Sequence, residues 1–141
     1  MRYVFDSSVA FKSVVLEQES AKAIRLVEDY RLGFHDLVAP DIFPFELAHA
    51  LTRAERQGRL VVGSAFAHWS KVMTSSPLLI PTLHLLPRAI EIASAARTGV
   101  YDCVYLALAE QESCEFVTAD TKLVRKLSSQ FPFIVELSTF P

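Results

Sequence analysis

The sequence predicts an α/β chain in which a small, mainly parallel sheet is flanked by helices and helix exceeds strand. Two observations predict it. Short β-prone runs, RYVF at Arg2 to Phe5, LVAP at Leu37 to Pro40, EFVT at Glu115 to Thr118 and FIVEL at Phe133 to Leu137, are separated by longer stretches of helical character. Strands alternating with helices in this way belong to sheets covered on both faces. The 141 residues, 51% of them hydrophobic, suit one domain over 1–141 with a sizeable buried core.

Each element carries its own signals. After the first strand, Asp6-Ser7-Ser8 offers capping side chains to a helix running from Val9 to Leu16. Ser20 is expected to cap a second helix, Ala21 to about Arg31, with Ala23, Ile24, Val27 and Tyr30 on one face and Gly33 at its end. Asp41 is expected to cap a long helix to about Gln57, with Pro44 in the tolerant first turn and Gly58 closing it. Gly63-Ser64 opens a further helix that stops near Ser75-Ser76-Pro77. Leu78 to Leu86 is ambiguous, because Pro81 argues against a central strand. Pro87 starts a helix to about Thr98, ended by Gly99. From about Asp102 to Gln111 comes a helix apolar at every position between Cys103 and Ala109, the mark of a buried helix. Lys122 to Leu127 is helical.

Composition narrows the function classes. A net charge of −2 lacks the basic footprint of a dedicated nucleic-acid binder, although an enzyme with few local contacts needs none. Cys103 and Cys114 are too far apart for a CxxC motif, and two thiols point to a reducing compartment without a disulfide framework. The first apolar run is too short for a signal peptide or membrane span, so a soluble, cytoplasmic protein is expected. There is no P-loop, GxSxG or Ser/His/Asp constellation.

Chemistry concentrates in four acids. In open parallel sheets, ligands bind beyond the carboxyl ends of the strands. Asp6 directly follows the first strand, and Asp120 follows EFVT with only Ala119 between. Asp102 heads the helix that feeds this later strand, so it arrives at the same rim. Glu46 lies early in a helix that follows another strand end, among the apolar neighbours Phe43, Phe45, Leu47 and Ala48. Each acid also has an ordinary structural reading, as a helix cap or a first-turn partner of the helix dipole. Independent caps have no reason to converge on one edge, however, and converging carboxylates repel one another. A divalent cation relieves that repulsion. Oxygen donors without His or Cys suit Mg²⁺ or Mn²⁺. Such a site supports attack of a metal-activated water on a phosphoryl centre.

With these residues in place, VFDSSV (Val4 to Val9), PFELAHAL (Pro44 to Leu51), YDCVYLALAE (Tyr101 to Glu110) and FVTADTKL (Phe116 to Leu123) resemble, in this order and spacing, the PIN-domain ribonucleases. The likeness is greatest to the toxins of VapBC-type toxin–antitoxin pairs and spans nearly the whole chain. It implies a PIN-like three-layer sandwich. It also implies a metal-dependent endoribonuclease with Asp6, Glu46, Asp102 and Asp120 around one or two Mg²⁺ or Mn²⁺ ions. Ser7 and Thr118 match positions where the family sets hydroxyls beside the acids. The resemblance further implies a homodimer and a small antitoxin partner that blocks the site. The aromatics Phe43, Phe45, Phe66 and Trp69 are consistent with an interaction surface or with plain core packing. Candidates for gripping RNA phosphate are Arg53, Arg56 and Arg59, and Lys122, Arg125 and Lys126 after Asp120. Arg53 stands two helical turns after Glu46 on one face, and His49 is close enough to Glu46 to reach the site.

Rival readings are less well supported. A haloacid-dehalogenase-type phosphatase needs a second Asp two residues after the first, where this chain has Ser8. A receiver domain lacks its paired acids and late Lys. A structure-specific deoxyribonuclease of the same type would carry extra elements that clamp DNA. The alternative of another class is an inactive PIN-like module that binds RNA or protein; degenerate modules lose acids, and this chain keeps all four.

Overall fold

A computed structural model describes all residues, Met1 to Pro141. Five strands, β1 (Arg2–Phe5), β2 (Asp36–Pro40), β3 (Leu78–Ile80), β4 (Glu115–Thr118) and β5 (Ile134–Glu136), form one sheet in the order β3-β2-β1-β4-β5. Every pairing is parallel. Seven helices cover it: α1 (Ser7–Val14), α2 (Ser20–Arg31), α3 (Phe43–Arg56), α4 (Ala65–Met73), α5 (Leu86–Ala96), α6 (Val100–Glu112) and α7 (Thr121–Leu127).

The strands sort their side chains by parity. Tyr3, Phe5, Leu37, Ala39 and Val117 face a core shared with α1, α2, α3 and α4. Val4, Val38, Phe116 and Ile134 face a second core built on α5, α6 and α7. A period-2 backbone between two apolar layers requires this alternation. α6 is buried continuously from Cys103 to Ala109, and Tyr105 packs its ring against Phe116 at 5.5 Å between centroids. The expectation of a buried helix therefore holds. β3 stops just before Pro81 and sits at the sheet edge, where a missing N–H costs no ladder bond.

Several expected caps are corrected. The N-cap of α2 is Glu19, and Ser20 instead accepts from the Glu17 N–H and donates to the Val15 carbonyl. Asp41 does not cap α3, whose N-cap is Ile42; its carboxylate accepts from Thr82 at 2.7 Å, tying the ends of β2 and β3 together. Ser64 holds the N-cap position of α4, but the Ala65 N–H is satisfied by Glu55 from α3 at 2.7 Å. α5 ends at Arg97 in the left-handed region, and Gly99 is instead the N-cap of α6. Asp102 thus lies inside the first turn of α6 and does not cap it. On α2, Leu26 replaces the expected Ile24 in the core, and Ile24 is exposed. Gly58 does close α3, at φ +74, a conformation that favours a residue without Cβ.

Candidate active site

The chain leaves the central strand β1 toward β2 and β3, then returns on the other side to β4 and β5. The order therefore switches between β1 and β4, where parallel sheets open a crevice at their carboxyl ends. Asp6 and Asp120 flank this crevice. β1 and β4 pair in parallel with Phe5 opposite Val117, and the Asp6 N–H continues the ladder to the Val117 carbonyl at 3.1 Å.

Asp6 is buried, and one carboxylate oxygen, Oδ2, accepts from Thr118 Oγ1 and Ser8 Oγ, both at 2.6 Å. Ser8 Oγ also accepts from the Ala119 N–H at 3.0 Å, and Thr118 Oγ1 from the Asp120 N–H at 3.1 Å. Two hydroxyls thereby lash Asp6 to the loop that carries Asp120. Asp120 caps α7 as well, accepting from the Lys122 and Leu123 N–H groups through Oδ1. Its other oxygen is left out of the cap.

Glu46 sits in the first turn of α3 and Asp102 in the first turn of α6. Burial raises the Glu46 carboxyl to about 7, with the charges of Asp6 and Asp102 adding to the rise. Burial, then the charges of Asp6 and Asp120, lifts Asp102 to about 6. Asp6 is raised too, chiefly by burial, against the pull of its two hydroxyl donors. Asp6, Glu46 and Asp102 therefore each feel the charge of at least one neighbouring acid of the set. No three of them close into a finished metal cage. Glu46 Oε1 is nevertheless buried without a hydrogen-bond partner, and so is the Tyr105 hydroxyl beside it. The two are near enough to shift one another's ionisation, yet they do not meet at hydrogen-bond geometry. An orphaned buried oxygen among repelling carboxylates fits a hard divalent cation.

Two open clefts meet at Ser7 and His49. One, of about 590 Å³, includes Glu46, Phe45 and Tyr101. The other, of about 530 Å³, includes Asp120, Lys12, Arg53 and Arg59. Of the expected phosphate-gripping residues, Arg53 and Arg59 enter the cleft. Arg56, Lys122 and Arg125 stand outside its lining, and Lys126 donates to the Arg97 carbonyl.

Two residues here escape the sequence reading. The Ser8 hydroxyl, not that of Ser7, bonds the Asp6 carboxylate, and Ser7 lines both clefts. Its signal was the Asp-x-Ser spacing, since a side chain two residues on readily reaches back to an Asp. Tyr105 lies three residues after Asp102 in α6, on the same face, and reads in sequence as plain core. Cys103 is a buried core residue, as expected.

The chain matches the PIN domain family model over residues 3–127. It is 29% identical over 135 residues to a VapC ribonuclease of Mycobacterium bovis and equally to ribonuclease VapC9 of Mycobacterium tuberculosis, covering 94% of this chain and 96% of each relative. Among solved structures it superposes on PAE2754 from Pyrobaculum aerophilum with a TM-score of 0.71 at 23% identity, over 99% of this chain and 94% of that one. On VapBC2 from Rickettsia felis, solved bound to a DNA fragment from its promoter, the TM-score is 0.65 at 12% identity, over 96% and 97% of the two chains. With the five-stranded parallel sheet and the family match over most of its length, the chain belongs to the PIN-domain family.

Proposed function

We propose that the protein is a Mg²⁺- or Mn²⁺-dependent endoribonuclease, the toxin of a toxin–antitoxin pair, with Asp6, Glu46, Asp102 and Asp120 as its catalytic acids. The observation that carries the reading is the set of acids at one sheet edge, three of them raised by burial and by mutual repulsion. The VapC ribonucleases, similar over nearly their full length, support RNA as the substrate class, and the toxin role is the one implied by the resemblance to VapBC-type toxins. A retained set of four acids favours an enzyme over an inactive binding module.

The four carboxylates would hold the cation, and Glu46 Oε1 is a donor already stripped of other partners. When bound, such an ion supplies charge neutralisation and Lewis acidity toward a phosphodiester and water. The chain's own work is positioning. Thr118 and Ser8 fix the orientation of Asp6 by occupying one oxygen and leaving the other free of side-chain donors. The Asp120 cap holds that carboxylate against the same loop, and buried α6 holds Asp102 on a rigid post.

A protein partner is part of the proposal, as a cognate antitoxin and as a second copy in a homodimer. An apolar groove of about 350 Å³ between α3 and α4, with Phe66 exposed and stacked on Trp69, supports such contact, as does exposed Phe45. No helix is long and apolar enough to cross a membrane, and an RNA substrate implies work in the cytoplasm.

The test is cleavage of several RNAs by purified protein in EDTA, Mg²⁺ or Mn²⁺, beside Asp6→Asn. Cleavage should require metal and fall ~10²-fold or more in the variant. Cleavage that survives Asp6→Asn would remove these acids from the chemistry.

A further inference from the structure

The cleft beyond Asp120 holds an ion-pair cluster that the acid site does not use. Glu17, in the turn between α1 and α2, receives Lys12 Nζ on Oε1 at 3.1 Å and Arg59 Nη2 on Oε2 at 2.8 Å. The Arg59 guanidinium also lies over the Phe11 ring, 5.4 Å from its centroid. Arg53, on the same wall, has no ion-pair partner.

We infer that Lys12, Arg53 and Arg59 form a phosphate-binding track for the RNA strand next to the cleaved bond, with Glu17 as an internal stand-in that occupies two of these cations until backbone phosphate displaces it. The inference rests on the endoribonuclease reading for the identity of the strand. The geometry argues for displacement. A carboxylate that takes one cation on each oxygen occupies the place a phosphate would take, and it neutralises the cleft while no substrate is present. Lys12 is the more enclosed partner, 19% exposed and also donating to the Gln18 carbonyl at 2.9 Å, whereas the Arg59–Glu17 pair faces solvent, with side chains 48% and 30% exposed. Exposed pairs of this kind hold weakly and yield readily to a better-placed anion. The cation–π seat on Phe11 keeps Arg59 in position once Glu17 has left. Free Arg53 gives the track a permanent positive end on the helix that also carries Glu46. A strand gripped here and cut at the acids would cross Ser7 and His49, where the two clefts meet. It also explains how a chain of net charge −2 can hold a polyanion.

A purely structural role predicts something different. Glu17 would then only tie the α1–α2 turn to the loop after α3, and its loss would affect stability alone.

The experiment measures binding of fluorescein-labelled oligouridylate and oligoadenylate to the full chain across a salt series, in an Asp6→Asn background that prevents cleavage. Lys12→Ala, Arg53→Ala and Arg59→Ala should each weaken binding about fivefold on both RNAs. Each should also lower the slope of log affinity against log salt by ~0.7. Glu17→Gln, which keeps shape and removes charge, should tighten binding several-fold. Unchanged salt slopes in the three cation variants would overturn the track. A Glu17→Gln variant that lowers the melting temperature without tightening RNA would overturn the displacement role. Cleavage by the parent protein is scored separately: track variants that behave normally beside an active parent sink this inference alone, and intact binding beside an inactive parent sinks the nuclease reading alone.

Discussion

At the scale of single residues, the site is a problem in repulsion. Glu46 near 7 and Asp102 near 6 stand above their ordinary values of 4.5 and 3.8, first through burial and then through neighbouring charge. Between the ordinary and the raised values, the folded protein keeps protons that the unfolded chain has released. Stability of the metal-free protein is therefore highest at acid pH and falls as pH rises through that window. Thermal unfolding in EDTA should show a lower midpoint at about pH 8 than at about pH 5, and Asp6→Asn should flatten the difference, by of the order of 1 kcal/mol after allowing for solvent screening. Tyr105 offers a second test. Its hydroxyl is buried beside Glu46 and makes no hydrogen bond. Tyr105→Phe removes a buried polar group that has no partner, so stability should equal the parent's or rise by ~1 kcal/mol, as a denaturant titration would show.

Among the elements, α6 carries the most. Its seven successive buried residues pack against the sheet and α5, and its first turn presents Asp102. Leu106 is fully buried, so Leu106→Ala should cost ~2–5 kcal/mol in a denaturant titration. This element was readable because an unbroken apolar run has one meaning whatever its surroundings. The caps were not. Ser20, Asp41 and Asp102 all looked like N-caps, yet in the fold the N-caps of these helices are Glu19, Ile42 and Gly99. Tertiary partners decided the outcome: Thr82 claims Asp41, the α1–α2 turn claims Ser20, and Gly99 starts α6 early enough to bring Asp102 inside its first turn. Local capping preference is worth about 1 kcal/mol, and contacts between elements readily outweigh it.

For the molecule as a whole, the parallel sheet and the placement of Asp6 and Asp120 at its edge followed from strand order, because a carboxylate just past a parallel strand can point to few places. Asp102 reached the same edge because α6 runs back to feed β4. What stayed hidden was long-range. Ser8 meets Thr118 and Ala119 across 110 or more residues of chain. Lys12 and Arg59 come together only through Glu17, and Phe66 is exposed while Phe43 is buried. No spacing rule reports such meetings, since they depend on how two folded layers dock. Four carboxylates from separate parts of the chain are proposed to form one cation site. Calorimetric titration of Mn²⁺ at about pH 8 and about pH 5 tests it most directly. Saturable binding is expected at the higher pH, much weaker binding at the lower pH where Glu46 and Asp102 take up protons, and loss of binding in Asp6→Asn. Binding that is absent, or that ignores both pH and Asp6→Asn, would contradict it.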